Sequence, residues 1–349
     1  MEIRIGRLQL HHIPFPNNMG MVRYILAFAV VFAHFNSLTG NKVYFPVSSY
    51  EAVGGFFALS GFLMYASYHR RPDMKGYVKA RARRLLPAYC LIVVLAAFAL
   101  ASLSTLSLGE YFTSRGFWKY LFANITFMNF LEPTLPGVFG NCVIPAVNGS
   151  LWTMKVEWAL YLSVPLFFFL LRRFGGRPVI WFSGIVVFAI CYRLFFTYLY
   201  SLTENGLYQI LGRQFLGQMS YFYIGALCYH LLPTFIRYKW YLLIVVVLLF
   251  SLSLFLPDFH YAIIVQPFAV SIAAIWFSII GKWGTWEGKH DNISYNIYLC
   301  HFPVIQSYVT LSQGYNITSC IAFLTCCVAT IGLAYILLLG EKGIRKLIR

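Results

Sequence analysis

Charged residues are too sparse in this sequence to clothe a water-facing surface. Asp, Glu, Lys and Arg make up 11% of 349 residues, against 60% hydrophobic and 19% aromatic residues. A soluble domain carries about 25% charged residues, so no single soluble core hides this much apolar surface and the bilayer has to be the solvent. A cysteine framework is also lacking. Cys90, Cys191, Cys228, Cys300, Cys320, Cys326 and Cys327 fall in apolar stretches, where a thiol acts as a small hydrophobe, and Cys142 falls in an expected outer loop. Neither a disulfide scaffold nor a metal-ligand spacing results. No short apolar run with a small-residue cleavage site stands near the N-terminus, so the first apolar segment, from about Met21, reads as a retained span. No internal repeat of the transporter kind is visible.

The apolar runs that are there predict an all-α, polytopic integral membrane helical bundle, one membrane domain over residues 1–349. At about 20 apolar residues per span, about ten transmembrane helices are expected, near 22–38, 52–68, 85–106, 150–171, 178–200, 214–232, 240–256, 261–280, 293–311 and 317–340. The formal charge of +16 reads as orientation in membrane lipids and not as a nucleic-acid surface. With the N-terminus inside, most of the 27 Lys and Arg lie on the inner side, among them Arg4, Arg7, the run from Arg70 to Arg84, Lys282, Lys289 and the tail to Arg349. Both termini are then cytoplasmic. Residues 107–149 are too long for a simple loop, yet a span there would break the charge parity downstream. A re-entrant or interfacial helix followed by an ordered outer loop is expected.

Several polar groups sit where lipid would not tolerate them alone. Arg23 and His34 are eleven residues apart, about 20° off full helical turns, and project from one face of the first span roughly 16 Å apart. A snorkelling anchor and a functional cation are both open for Arg23; an interhelical hydrogen bond and a functional imidazole are both open for His34. In EAVGGFFALSGF, Gly54, Ala58 and Gly61 form a smooth face for close helix packing, with Ser60 beside it. Arg81 and Arg84 stand one turn apart in KARARRLLPAY, a spacing suited to a phosphate or to anionic lipid. Glu157 lies about two turns into an apolar run headed by Trp152, with Tyr161 on the same face. A carboxylate at that depth costs roughly 2.5–3.5 kcal/mol unless paired or solvated; Lys155 or Arg193 is one kind of partner, and an acid/base pairing with His34 is the other. Ser294, Tyr298 and His301 make a polar stripe, and Pro303 should free backbone groups that then need partners.

These stretches together resemble the acyltransferase-3 family of integral membrane acyltransferases. The family's Arg, ten residues, His signature is matched by Arg23 and His34, and its FF-x-x-SGF stretch by FFALSGF from Phe56. Its R-x-x-R before a Leu-Pro pair is matched by Arg81, Arg84 and Pro87, its W-[ST]-x-x-x-E by Trp152, Thr153 and Glu157, and its Y-x-x-H-x-P by Tyr298, His301 and Pro303. Lys155 is an unusual charge within the fourth motif. The chain is expected to lack the extra span and soluble SGNH-type domain of some members, so that activity rests on the membrane part.

The resemblance implies transfer of an acyl group, most often acetyl, from cytoplasmic acetyl-CoA to a hydroxyl of a surface or exported glycan or lipid-linked sugar, in a bacterial cytoplasmic (inner) membrane. It implies catalytic roles for His34, Arg23 and Glu157, donor binding by Arg81 and Arg84, and substrate or structural roles for Tyr298, His301, Ser60 and Trp152. A transporter or flippase of a lipid-linked sugar is the alternative, since buried Arg, His and Glu also line transport paths. A sensor or scaffold without catalysis is a third reading.

Overall fold

The computed structural model describes residues 11–14, 17–257, 260–280, 291–313 and 318–347. Arg4, Arg7, Lys282, Lys289 and Arg349, which entered the orientation argument, lie outside the described residues. Among those described there is no strand.

Helices stand at every expected span. They are α1 (Met19–Thr39), α2 (Ser49–Arg70), α3 (Met74–Ala99), the short α4 (Leu108–Thr113) and α5 (Arg115–Ile125), α6 (Trp152–Phe174), α7 (Pro178–Thr203) and α8 (Gly206–Gly212). There follow α9 (Phe215–His230), α10 (Leu232–Arg237), α11 (Lys239–Ser251), α12 (Gln266–Ile279), α13 (Ser294–Leu311) and α14 (Ser319–Leu347). Among the described residues, six helical stretches are long and apolar enough to cross a membrane: 19–39, 74–103, 149–174, 178–203, 261–279 and 319–346. The other four expected spans fold as helices that are shorter or more polar. The 16-residue α9 would rise only about 24 Å. It is enclosed by protein along most of its length, from Gly217 to Tyr229, so it does not need to match the lipid thickness by itself.

α3 begins eleven residues before the expected start of its span. Its 26 residues rise about 39 Å, more than a hydrocarbon core of about 30 Å, so its basic first turns extend beyond the apolar part. Apolar side chains such as Phe188, Phe195, Leu248, Ile321, Leu324, Val328 and Ile336 are exposed on α7, α11 and α14. In water this would be an aggregation surface; in lipid it is solvated.

The contacts divide the chain into two compact units, and α1, α3 and α6 each contribute residues to both. The first comprises 1–26, 50–78 and 156–290. Its core joins α2 to α9 with almost no space between backbones: a Cβ on Gly61 would stand 1.8 Å from the Phe222 carbonyl oxygen, and one on Gly225 would stand 2.0 Å from that of Ala58. The Gly54, Ala58 and Gly61 face thus packs as expected. Around it, Tyr65 meets Phe167, Phe168, Phe182 and Tyr229, and Phe167 stacks on Phe182 at 4.8 Å. Pro165 cannot bond back to the Tyr161 carbonyl one turn earlier, and the Tyr77 hydroxyl donates to it instead at 3.2 Å. The groove lined by Trp181, Phe188, Leu216 and Met219 carries no ionisable side chain.

The second unit comprises 27–49, 79–155 and 291–349. Within residues 107–149, α4 and α5 are followed by a largely non-helical stretch. The 11 residues of α5 rise about 16 Å and cannot span a bilayer. α4 starts in a reciprocal capping box between Ser107 and Glu110, and the Ser107 hydroxyl and amide hold the Glu110 carboxyl below the usual range. The non-helical stretch is then tied down by side chains: Tyr89 donates to the Asn124 carbonyl, Asn124 to Glu132, and the buried Gln306 to Ala146 at 3.0 Å. Irregular backbone survives at such a place only when its polar groups find partners like these.

Candidate functional site

In the second unit, His34 of α1 and His301 of α13, 267 positions apart, meet directly. His34 Nδ1 lies 2.7 Å from His301 Nε2, and the rings stack 5.0 Å apart at 12°. His301 is fully buried and His34 is part-buried. Phe302 meets the His34 ring edge-on at 5.2 Å, and Tyr298 lies 5.7 Å from the ring of His301.

The turn that carries His301 is held where Pro303, inside the continuous helix α13, removes one backbone hydrogen bond. With no N–H on Pro303, the Leu299 carbonyl loses its helical donor, and Asn148 Nδ2 supplies one at 2.8 Å. Asn148 Oδ1 in turn accepts from the Ser150 hydroxyl at 2.6 Å. The Tyr298 hydroxyl shares a hydrogen bond of 2.9 Å with Thr153 and reaches the Ser150 carbonyl at 3.3 Å. Between them, a Cβ on Gly149 would stand 2.8 Å from the Phe302 ring, so residues 148–150 must pass close against α13. Asn148→Ala is expected to leave a fully buried carbonyl without its donor and to lower stability by about 1–3 kcal/mol, read as an earlier thermal melt in lipid. An unchanged melt would mean that water replaces the amide.

Glu157 sits in the first unit. Its Oε1 accepts from the Tyr161 hydroxyl, and from Ser60 at 3.4 Å; Ser60 and Tyr161 are also 3.4 Å apart. Ser60, a substrate or structural candidate beside the packing face of α2, is thereby a direct neighbour of the carboxylate. Lys155 lies over the Phe130 ring at 4.4 Å, and Arg193 donates to the Ala262 carbonyl at 3.0 Å beside the Tyr221 ring. His34 Nδ1 is engaged by His301. Arg23, eleven residues before His34 on α1, belongs to the first unit and is part-buried; Trp152 heads α6 in the second unit and is also part-buried.

At the start of α3, Arg81 is part-buried and Arg84 exposed. Arg345 Nη2 lies 3.5 Å from the Arg84 carbonyl, at the limit of a hydrogen bond, and pairs with the buried Glu341 at 2.6 Å. Lys342 pairs with Asp291 at 2.5 Å. The Tyr295 hydroxyl donates to the Leu85 carbonyl at 3.2 Å and so ties α13 to this part of α3. In the sequence Arg345 and Lys342 read only as inner-side charge, and no motif near them signals that the tail returns to Arg84.

The arrangement offers an oriented imidazole in an apolar, aromatic wall, and a separate basic surface. The former suits proton transfer at a hydroxyl, the latter an anionic group such as a phosphate.

Residues 17–339 match the profile of the acyltransferase domain that defines the acyltransferase-3 family. Nodulation protein 10 of Rhizobium leguminosarum bv. viciae is 32% identical over 175 residues, 45% of this chain and 45% of that protein. The O-acetyl transferase of Shigella phage Sf6 is 26% identical over 151 residues, 42% of this chain and 44% of the relative. Acyltransferase MdmB of Streptomyces mycarofaciens is 28% identical over 144 residues, 40% of this chain and 34% of the relative. The chain thus spans less than half the length of these curated relatives. No solved structure matches it.

Proposed function

Because the chain belongs to the acyltransferase-3 family of membrane acyltransferases, we propose that it is an O-acyltransferase. It takes an acyl group, acetyl in the simplest case, from a cytoplasmic coenzyme A thioester and delivers it to a hydroxyl of a surface or exported glycan or lipid-linked sugar. The observation that carries this reading is the His34 and His301 pair, an imidazole held by a second imidazole on helices within the family match. The name of the phage relative, an O-acetyl transferase, supports acetyl as the group and oxygen as its acceptor.

In this reading the acceptor O–H gives its proton to His34 while its oxygen bonds to the thioester carbonyl carbon. The C–S bond then breaks, and the coenzyme A sulfur leaves with the proton that His34 took. Ester and free thiol are the products, and His34 returns to neutral. Arg81 and Arg84 hold the donor's phosphates at the inner face. Glu157, supported by Tyr161 and Ser60, is a fixed acceptor for a sugar hydroxyl. The membrane is the bacterial inner membrane, where cytoplasmic coenzyme A thioesters reach the basic end of α3.

The test is binding of radiolabelled acetyl-CoA to the purified protein in nanodiscs. Saturable binding is expected in the wild type, weakened on the order of tenfold or more in Arg84→Ala, since a charge-assisted contact contributes about 1.5–3 kcal/mol. Arg84 is exposed, so the variant should melt like the wild type. Absence of saturable binding in the wild type would end the reading in favour of a sugar transporter, which has no need of coenzyme A.

A further inference from the structure

We propose that His301 is a positioning residue: it holds His34 in the tautomer that carries its proton on Nδ1, and so leaves the lone pair of His34 Nε2 as the base. This rests on the acyltransferase reading for its consequence in catalysis, while the tautomer itself can be read independently.

The argument starts from the 2.7 Å contact between His34 Nδ1 and His301 Nε2. One proton lies between two neutral imidazoles at that distance, and it belongs to one nitrogen or the other. If it belonged to His301 Nε2, then His301 Nδ1 would bear a lone pair and His34 Nε2 would bear a hydrogen, making His34 a donor with no basic nitrogen to offer. If it belongs to His34 Nδ1, then His301 Nδ1 bears a hydrogen and His34 Nε2 is free to accept.

The surroundings of His301 Nδ1 separate the two cases. That atom is buried, on a residue with no exposed surface, and neither a donor nor an acceptor meets it at hydrogen-bond distance and angle. The backbone groups that act on the ring are the carbonyls of Tyr298 and Ile297 in the preceding turn of its own helix. With no donor to satisfy it, a lone pair near carbonyl oxygens in a dry interior is repelled by them, whereas an N–H is attracted to them even beyond hydrogen-bond distance. The proton therefore sits on His301 Nδ1, His301 Nε2 accepts, and His34 Nδ1 donates.

The ring of His301 cannot readily turn to exchange its nitrogens. It is stacked on His34 at 12°, flanked by Tyr298 and Phe302, and carried on a turn that Asn148 pins through the Leu299 carbonyl. A carboxylate orients the histidine in Ser-His-Asp triads. A neutral imidazole can orient it in the same way without placing a costly negative charge in the membrane interior. When His34 Nε2 takes the acceptor's proton, the Nδ1–H bond to His301 becomes charge-assisted, and it reverts when the proton passes to the departing sulfur.

Two measurements test this. Solid-state NMR of the protein in lipid, labelled with 15N-histidine and assigned by difference against His34→Gln, is expected to show His34 with Nδ1 protonated and Nε2 unprotonated. In His301→Phe the population should move toward Nε2–H. In acetyl transfer, His301→Phe is expected to lower kcat by on the order of 10²–10³ with acetyl-CoA affinity within about twofold of wild type. His301→Gln, whose amide oxygen can stand in for Nε2 as acceptor, should recover at least tenfold of that loss. An Nε2–H tautomer of His34 in the wild type overturns the proposal, as does His301→Gln no more active than His301→Phe when both bind acetyl-CoA normally. A wild type that neither binds nor turns over acetyl-CoA would instead sink the acyltransferase reading, with the NMR result still deciding the tautomer.

Discussion

Replacing His34 by Ala is expected to lower acetyl transfer by about 10³-fold or more while leaving acetyl-CoA binding in place. A positioned general base contributes roughly 10²–10⁴, and nothing else within the His34 and His301 pair can substitute, because His301 is fully buried behind it. The variant also leaves His301 Nε2 without its partner, so a loss of about 1–3 kcal/mol in stability accompanies the loss of rate. Measuring labelled acetyl-CoA binding and product formation on the same nanodisc sample separates the two effects. Product formed at the wild-type rate by a correctly inserted His34→Ala protein would remove His34 from the chemistry. Lost binding together with lost turnover would mean that the change had damaged the fold rather than the reaction.

The largest stability effect is expected at Gly61. A single added Cβ there would stand 1.8 Å from the Phe222 carbonyl oxygen and 2.7 Å from its carbon, backbone atoms that no rotamer change can move aside. α2 and α9 would have to separate, and Gly225 against Ala58 shows the same closeness from the other helix. Overpacking of this kind costs about 3 kcal/mol or more, so Gly61→Ala should give a sharply lower melting temperature and poor recovery after detergent extraction. Gly332→Ala is the matched control. Its Cβ would meet nothing within 4 Å, and Ala in a helix is favoured over Gly by about 0.5–1 kcal/mol. Equal melting of the two variants would mean that α2 and α9 do not pack at this distance in the membrane.

Much of this molecule is legible from local pattern because lipid leaves the backbone few choices. A run of apolar residues has to close its own hydrogen bonds, and every expected span is a helix within a few residues at most ends. The same local logic reaches Gly61, where small residues at helical spacing announce close packing. It also reaches Pro303, whose missing N–H announces an orphan carbonyl. It stops at lengths: the apolar run of the third span gives no sign that α3 already begins at Met74, because the added turns are interrupted by Lys and Arg and continue no apolar run. Likewise, among the described residues six stretches meet the length and apolarity of a span by themselves, and α9 achieves its burial through protein neighbours.

Partner choice was beyond the sequence. Periodicity puts Arg23 and His34 on one face of α1 but says nothing about which helix faces that side. His301, 267 residues on, meets His34 because α1 and α13 pack there, and Asn148 meets Leu299 because a non-helical segment is threaded past Pro303. Arg345 reaches Arg84 across 261 positions for the same kind of reason. The sequence by itself determined the solvent, the class of fold, the helices and the residue types available for chemistry, since these follow from hydrophobicity and backbone geometry over one or two turns. The tertiary structure alone decided which imidazole orients which, because that depends on the rotation and depth of helices distant in the chain.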